Sequence, residues 1–155
     1  MDKGALSVFE ADVRAQLAEI EDIYERIEER EEGFERDAMR LESLSYQLHN
    51  LFCAFEDLFE IIAAFFENSI GDRSRWHIEL LKRMREDIEG IRPALLSEES
   101  FLLLDELRAF RHFFRHAYAS RLESEKVRIV LNKTMRLRKS YQGEVERFLS
   151  TVKQM

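Results

Sequence analysis

From Arg36 to Glu67 the chain runs without a glycine or proline, and its apolar residues recur every three or four positions: Leu41, Leu44, Leu48, Leu51, Phe52, Phe55, Leu58, Phe59, Ile62, Ala63 and Phe66. That period belongs to an α-helix. The set is wider than one stripe, so this helix is expected to touch other helices on several sides, or a second subunit. The rest of the chain is poor in turn and strand formers, with one proline, five glycines and little Val or Thr in 155 residues. An all-α fold follows. The expected architecture is a single domain over residues 1–155, an up-and-down antiparallel bundle of about five helices, because short connections make successive helices antiparallel neighbours.

Phe9, Val13, Leu17, Ile20, Tyr24 and Ile27 predict a first helix from about Ser7 to Arg30. The acidic run Glu28, Glu29, Glu31 and Glu32 around Gly33 reads as a solvated turn before the central helix. Beyond that helix, Asn68 to Ser74 reads as a loop. Ser74 is the expected cap of a third helix over Arg75 to Glu89, anchored by Trp76 and ended by Gly90 with Arg92 and Pro93. Ser97 followed by Glu98 and Glu99 marks the start of a fourth helix. A fifth is expected from the turn at Glu123 and Ser124 to about Val152. Its basic residues, Lys126, Lys133, Arg136, Arg138 and Lys139, either border the fourth helix or face solvent.

The net charge of −7 averages two unlike parts. Arg108 to Met155 carries 12 Lys and Arg against 4 Glu, whereas Met1 to Leu107 carries 12 against 27 acidic residues. The basic part attracts a polyanion locally, and the acidic part opposes sequence-blind coating of nucleic acid. Cys53 is the single cysteine, which excludes an internal disulfide and a multi-cysteine zinc site; it reads as a small buried hydrophobe. The amino terminus has no signal-peptide pattern, and the longest apolar run, Leu58 to Phe66, is broken by Glu60 and too short to span a bilayer. A cytoplasmic protein without membrane association is expected. No Gly-rich phosphate loop, zinc-binding His pair or two-carboxylate metal pair occurs, so neither metal nor cofactor is implied. His49, a polar insertion in the central helix with Tyr46 and Asn50, reads as a structural residue.

The segment from Leu103 to Ser120 is different. Leu103, Leu107, Phe110, Phe113, Phe114 and Ala117 fall on one side of a helix, and Arg108, Arg111, Arg115 and Tyr118 follow one another down the other, flanked by His112 and His116. After Asp105 and Glu106 this polar face has no carboxylate. Like charges three or four residues apart cost a few tenths of a kcal/mol per pair unless an anion arrives. Guanidinium forks suit phosphate, imidazole exchanges protons near neutral pH, and a phenol can stack or be modified. The face therefore suits a phosphate-bearing partner, with Arg108, His112 and Arg115 as phosphate-binding groups.

Arg111, His116 and Tyr118 are spaced Arg-x4-His-x-Tyr, and with Tyr46-Gln-Leu-His-Asn-Leu, Trp76-His77, Arg92-Pro93 and the run from Leu107 to Tyr118 the chain resembles HepT-like toxins of the HEPN superfamily from about Leu41 to Tyr118. The resemblance implies a HEPN-like helical bundle and a metal-independent RNA endonuclease. In it Arg111 and His116 are catalytic, Arg111 holding the phosphate while His116 moves a proton during attack by the ribose 2′-hydroxyl. It further implies a homodimer, a tRNA or mRNA as target, and a nucleotidyltransferase antitoxin of the MNT type that silences the toxin by attaching AMP to Tyr118. The alternative is a non-catalytic subunit of the same fold that binds nucleotide or RNA for a nucleotidyltransferase. On a straight helix Arg111 and His116 diverge by about 140°. Long side chains, a helix distortion or a second subunit must bring them to one phosphate.

Overall fold

The structure is a computed structural model that describes residues 2–67, 76–119 and 121–155. Its helices are α1 (Lys3–Glu31), α2 (Ala38–Phe66), α3 (Trp76–Arg83), α4 (Glu98–Arg115), α5 (Ser124–Arg138) and α6 (Tyr141–Lys153), with 3-10 turns at Phe34–Arg36 and Ala117–Ala119. The chain is an all-α helical bundle, as its periodicity requires. The expected loop from Asn68 to Ser74, the Ser74 cap and the anchoring side chain of Trp76 lie outside the described residues.

The break between α1 and α2 falls where the sequence places it. Gly33 adopts φ +78°, a conformation that side-chain-bearing residues rarely hold. The chain then reverses over a buried Phe34, and Asp37 caps α2 by accepting hydrogen bonds from the backbone N–H groups of Met39 and Arg40 at 3.0 and 3.3 Å. α2 is the central helix. It packs against α1, α3, α4 and α5, and Leu44, Leu48, Leu51, Phe52, Phe55, Leu58, Phe59 and Ile62 are buried along it. Each such side chain contributes about 1.5–3 kcal/mol of transfer free energy. α1 begins earlier than expected because the Asp2 carboxylate accepts from Gly4 N–H at 2.9 Å and extends the helix by a turn.

Two expectations need correction. The third helix stops at Arg83 rather than Glu89. Arg92, only 2% exposed, returns to that end: its guanidinium donates to the carbonyls of Arg83, Glu86 and Pro93 at 2.9–3.1 Å and to Glu67 Oε2 at 3.2 Å. The tight turn that brings it back runs through Gly90 at φ +78°. Carbonyls that another turn of helix would have used are thus occupied by a side chain. The fifth helix is two helices. At Lys139 and Ser140 the bonding shortens to i−3 carbonyls, with Ser140 N–H and Oγ–H both donating to Leu137 C=O, and the chain bends. The bend lets Tyr141 enter the core, stacked on Tyr24 at 5.6 Å and edge-on to Phe55 at 5.3 Å. Local spacing does not encode that choice, because both halves keep the helical period.

Several basic residues of the last third are drawn into ion pairs. Arg138 pairs with Glu21 and Glu28 on α1, Arg128 with Glu31 and Glu35, and Lys133 with Glu106 on α4 at 3.1 Å. Arg128 also covers the Phe34 ring at 4.6 Å. The acidic turn around Gly33 is therefore a structural partner of α5 as well as a solvated surface. Among the described residues, no helix is long and apolar enough to cross a membrane.

Candidate functional site

α4 is fixed at its start by two devices. Ser97 Oγ accepts from Ser100 N–H at 3.1 Å, the expected cap. The buried Glu144 carboxylate of α6 accepts from Ser97 N–H at 2.5 Å and from the Ser100 hydroxyl, placing negative charge at the helix N-terminus where the aligned peptide dipoles favour it. Leu103, Leu104, Leu107 and Phe110 then bury one side of the helix against α2 and its neighbours.

At the other end the helix does not run to Ser120. It closes at Arg115, and His116 leaves helical geometry with its N–H donating to Phe113 C=O at 3.1 Å before the Ala117–Ala119 turn. The helix is thus distorted within the Arg-x4-His spacing, and inside one chain the two side chains meet different neighbours. The Arg111 Nε donates to Cys53 Sγ at 3.4 Å, with its guanidinium 6.0 Å from the Phe52 ring centre. His116 is exposed and lies against His112, their ring centres 4.7 Å apart.

The predicted polar line is thus divided. Arg108 is neutralised by Asp105 at 2.8 Å. Arg111 is half-buried against α2 rather than facing solvent. Arg115 is exposed, and Tyr118, 93% exposed, stands on the 3-10 turn. Among the described residues neither Arg111 nor Arg115 has a carboxylate partner. The predicted apolar line also changes: Phe113 is 43% exposed, because it faces a groove of about 440 Å³ between α4 and α5, and Phe114 and Ala117 are only half-buried.

α2 and α4 run antiparallel along the site, and their pairing builds a continuous seam. Cys53 meets Arg111, the His49 ring lies 5.5 Å from Phe114, and Ala38, Leu41 and Glu42 face Ala117 and Tyr118 across a groove of about 850 Å³ that Phe114, Arg115, Arg121 and Leu122 also line. Tyr46 extends the seam outward, stacked parallel on His49 at 6.2 Å. His49 Nδ1 is 3.3 Å from Asn50 Oδ1. Its burial, together with the guanidiniums of Arg111 and Arg115, pulls the imidazole below its usual range, while the Asn50 hydrogen bond acts the other way. Cys53 is half-buried and in contact with an arginine, not sealed in the core.

Tyr46, His49, Cys53 and Arg121 are among the seam residues that sequence reasoning did not single out for the site. Tyr46, His49 and Cys53 do share a face of α2 at steps of three and four. What identifies that face is its pairing with α4, which spacing within one helix does not contain. Among the described residues, no group of three or more His, Cys, Asp and Glu side chains is placed to hold a metal ion.

A family model described as HepT-like protein matches residues 43–152, from early in α2 to the end of α6. No curated protein and no solved structure matches the chain.

Proposed function

The chain belongs to the HepT-like family, and from that premise we propose that it is a metal-independent RNA endonuclease, the toxin of a toxin–antitoxin pair. Arg111 and Arg115 bind the scissile phosphate, with Arg108 and His112 in support, and Arg111 stabilises the charge that grows on its oxygens. His116 exchanges a proton with the reacting ribose and the leaving oxygen. The 2′-oxygen attacks phosphorus, the bond to the 5′-oxygen breaks, and the products carry a 2′,3′-cyclic phosphate and a 5′-hydroxyl. A homodimer in which two α4 ends meet across a composite groove completes the site, since within one chain Arg111 and His116 turn to different neighbours.

The observation that carries this reading is the combination at the end of α4: two guanidiniums without carboxylate partners among the described residues, two adjacent imidazoles and a phenol almost wholly in solvent. Tyr118 is the acceptor of AMP from an MNT-type nucleotidyltransferase. Its hydroxyl is free to reach another enzyme, and an adenylyl group there would occupy the groove and place a negative charge beside Arg115. A second reading, a non-catalytic RNA- or nucleotide-binding subunit of a nucleotidyltransferase, draws support from the inward-turned Arg111. The test compares wild type and His116→Ala, purified without the partner and equally folded, on total RNA and tRNA in EDTA. Cleavage by wild type alone supports the nuclease. Salt-sensitive binding without cleavage by either, with Tyr118 unmodified by mass spectrometry, favours the binding subunit.

A further inference from the structure

A reaction that moves a proton off a 2′-hydroxyl and another onto a 5′-oxygen works best with two proton-transfer groups, and α4 supplies imidazoles only at its exposed end. The opposite wall of the seam holds a third. We propose that His49 is the base that removes the ribose 2′-hydroxyl proton, with His116 delivering a proton to the departing 5′-oxygen; this rests on the nuclease reading above. The 2′-oxygen forms its bond to phosphorus as His49 takes the proton, and the P–O5′ bond breaks as His116 gives one up. The proton count is unchanged once the two imidazoles re-equilibrate with water.

Three features of the structure assign the role. First, Asn50 Oδ1 stands 3.3 Å from Nδ1, and because an amide oxygen only accepts, a hydrogen bond there goes with the Nδ1–H tautomer, in which Nε2 keeps the lone pair that a base requires. Second, His49 sits beside the groups that would hold the phosphate. It contacts Phe114, Arg111 reaches Cys53 one turn further along the same face of α2, and both Arg111 and Arg115 act on its charge. Third, its surroundings favour the neutral form. The groups that contact it or act on its charge are Tyr46 and Asn50 on α2 and Arg111, Phe114 and Arg115 on α4; the carboxylate on this side is Glu42, which lines the adjoining groove. His77, by contrast, is held by Glu56 at 2.5 Å and belongs to the fold. A structural histidine buried only for packing would need neither the cationic neighbours nor the oriented ring.

The test uses full-length protein free of the nucleotidyltransferase, with two substrates: an oligoribonucleotide, and uridine 3′-(4-nitrophenyl phosphate), whose leaving group departs without a proton. His49→Ala and His49→Gln are expected to lower kcat/KM about 10²–10⁴-fold on both substrates. His116→Ala is expected to lose activity on RNA and recover most of it on the activated ester. Wild-type kcat/KM on the ester should rise with pH along a limb that levels off below the usual histidine range, and that limb should be absent from both His49 variants. Unchanged rates in the His49 variants, or rescue of them by the ester, would overturn the assignment while leaving the nuclease intact. Lost RNA binding or a lowered melting temperature in both variants would overturn it too, by making His49 structural. Wild type inactive on either substrate removes the nuclease reading and this inference with it.

Discussion

Replacing Glu144 with Ala tests whether the functional helix is held from its far end. The carboxylate is 4% exposed and accepts two hydrogen bonds at the start of α4, from Ser97 N–H and from the Ser100 hydroxyl. Hydrogen bonds to a charged group contribute about 1.5–3 kcal/mol each, and a negative charge at a helix N-terminus adds about 0.3–1 kcal/mol. Against this stands the desolvation of the carboxylate, several kcal/mol in the folded state, which the alanine variant no longer bears. The balance is a loss of about 3 kcal/mol. For a chain of this size 1 kcal/mol corresponds to about 2–4 °C in Tm, so the variant should melt about 6–12 °C lower. Circular dichroism melts and urea titrations at pH 7 measure this, with the urea m-value expected to stay constant. Arg115 lies at the opposite end of an 18-residue helix, about 25 Å away at 1.5 Å per residue. RNA cleavage by the folded variant at 25 °C should therefore match wild type. A fall in Tm of less than about 2 °C would refute the energetic argument, and impaired cleavage by fully folded variant would refute the separation of cap and site.

Tyr118→Phe should leave stability within about 0.5 kcal/mol, because the ring is almost wholly in solvent; on the proposed function, the variant co-expressed with an MNT-type nucleotidyltransferase should be toxic and take up no AMP by intact mass. Arg92→Met should cost about 3–5 kcal/mol, read from urea unfolding, because three helix-end and loop carbonyls and Glu67 lose a buried partner. Arg115→Ala should weaken RNA binding at all salt concentrations and make the log–log salt dependence shallower by about 0.7. His49 binds its proton less readily in the folded chain than in the unfolded one, so its contribution is intact above about pH 6.5 and is lost as the pH falls from there toward its folded value. Between pH 7.5 and 5.5 the urea midpoint of wild type should therefore fall further than that of His49→Gln.

The bundle was legible because its signals are local. The period of α2, the Ser97 cap, the Gly33 break and the absence of strand formers each state their structure within a few residues. The errors came where a distant group intervened. Nothing near Arg83 says that Arg92 will fold back and take its carbonyls, and nothing near Ser140 says that a bend there admits Tyr141 between Tyr24 and Phe55. The candidate site divides the same way. Arg111, His116 and Tyr118 announce themselves by spacing on one segment, and the family resemblance they carry agrees with the match to the HepT-like family. His49, Cys53 and Arg121 enter only through the antiparallel pairing of α2 with α4 and the course of the chain after the 3-10 turn. Phe113 was misplaced because a helix wheel assigns sides, whereas burial depends on what faces each side.

The inward position of Arg111 looks at first like an argument against catalysis, and the magnitudes argue the other way. Thioether and thiol sulfur are weak acceptors, so the 3.4 Å contact with Cys53 holds the guanidinium loosely. A ring centre 6.0 Å away is at the limit of cation–π attraction and is worth about 0.5–1 kcal/mol at a partly exposed site. A phosphate offers two parallel charge-assisted bonds of about 1.5–3 kcal/mol each and also relieves the repulsion between Arg111 and Arg115, four residues apart. Exchange of the sulfur for a phosphate is therefore favourable by a few kcal/mol, more than a change of rotamer costs. On the proposed nuclease function, the Cys53 contact is then a resting position that the guanidinium leaves when a phosphate arrives. On that account Cys53→Ala should leave kcat/KM on RNA within about threefold of wild type, and a loss approaching that of Arg111→Ala would show instead that the thiol positions the arginine during the reaction.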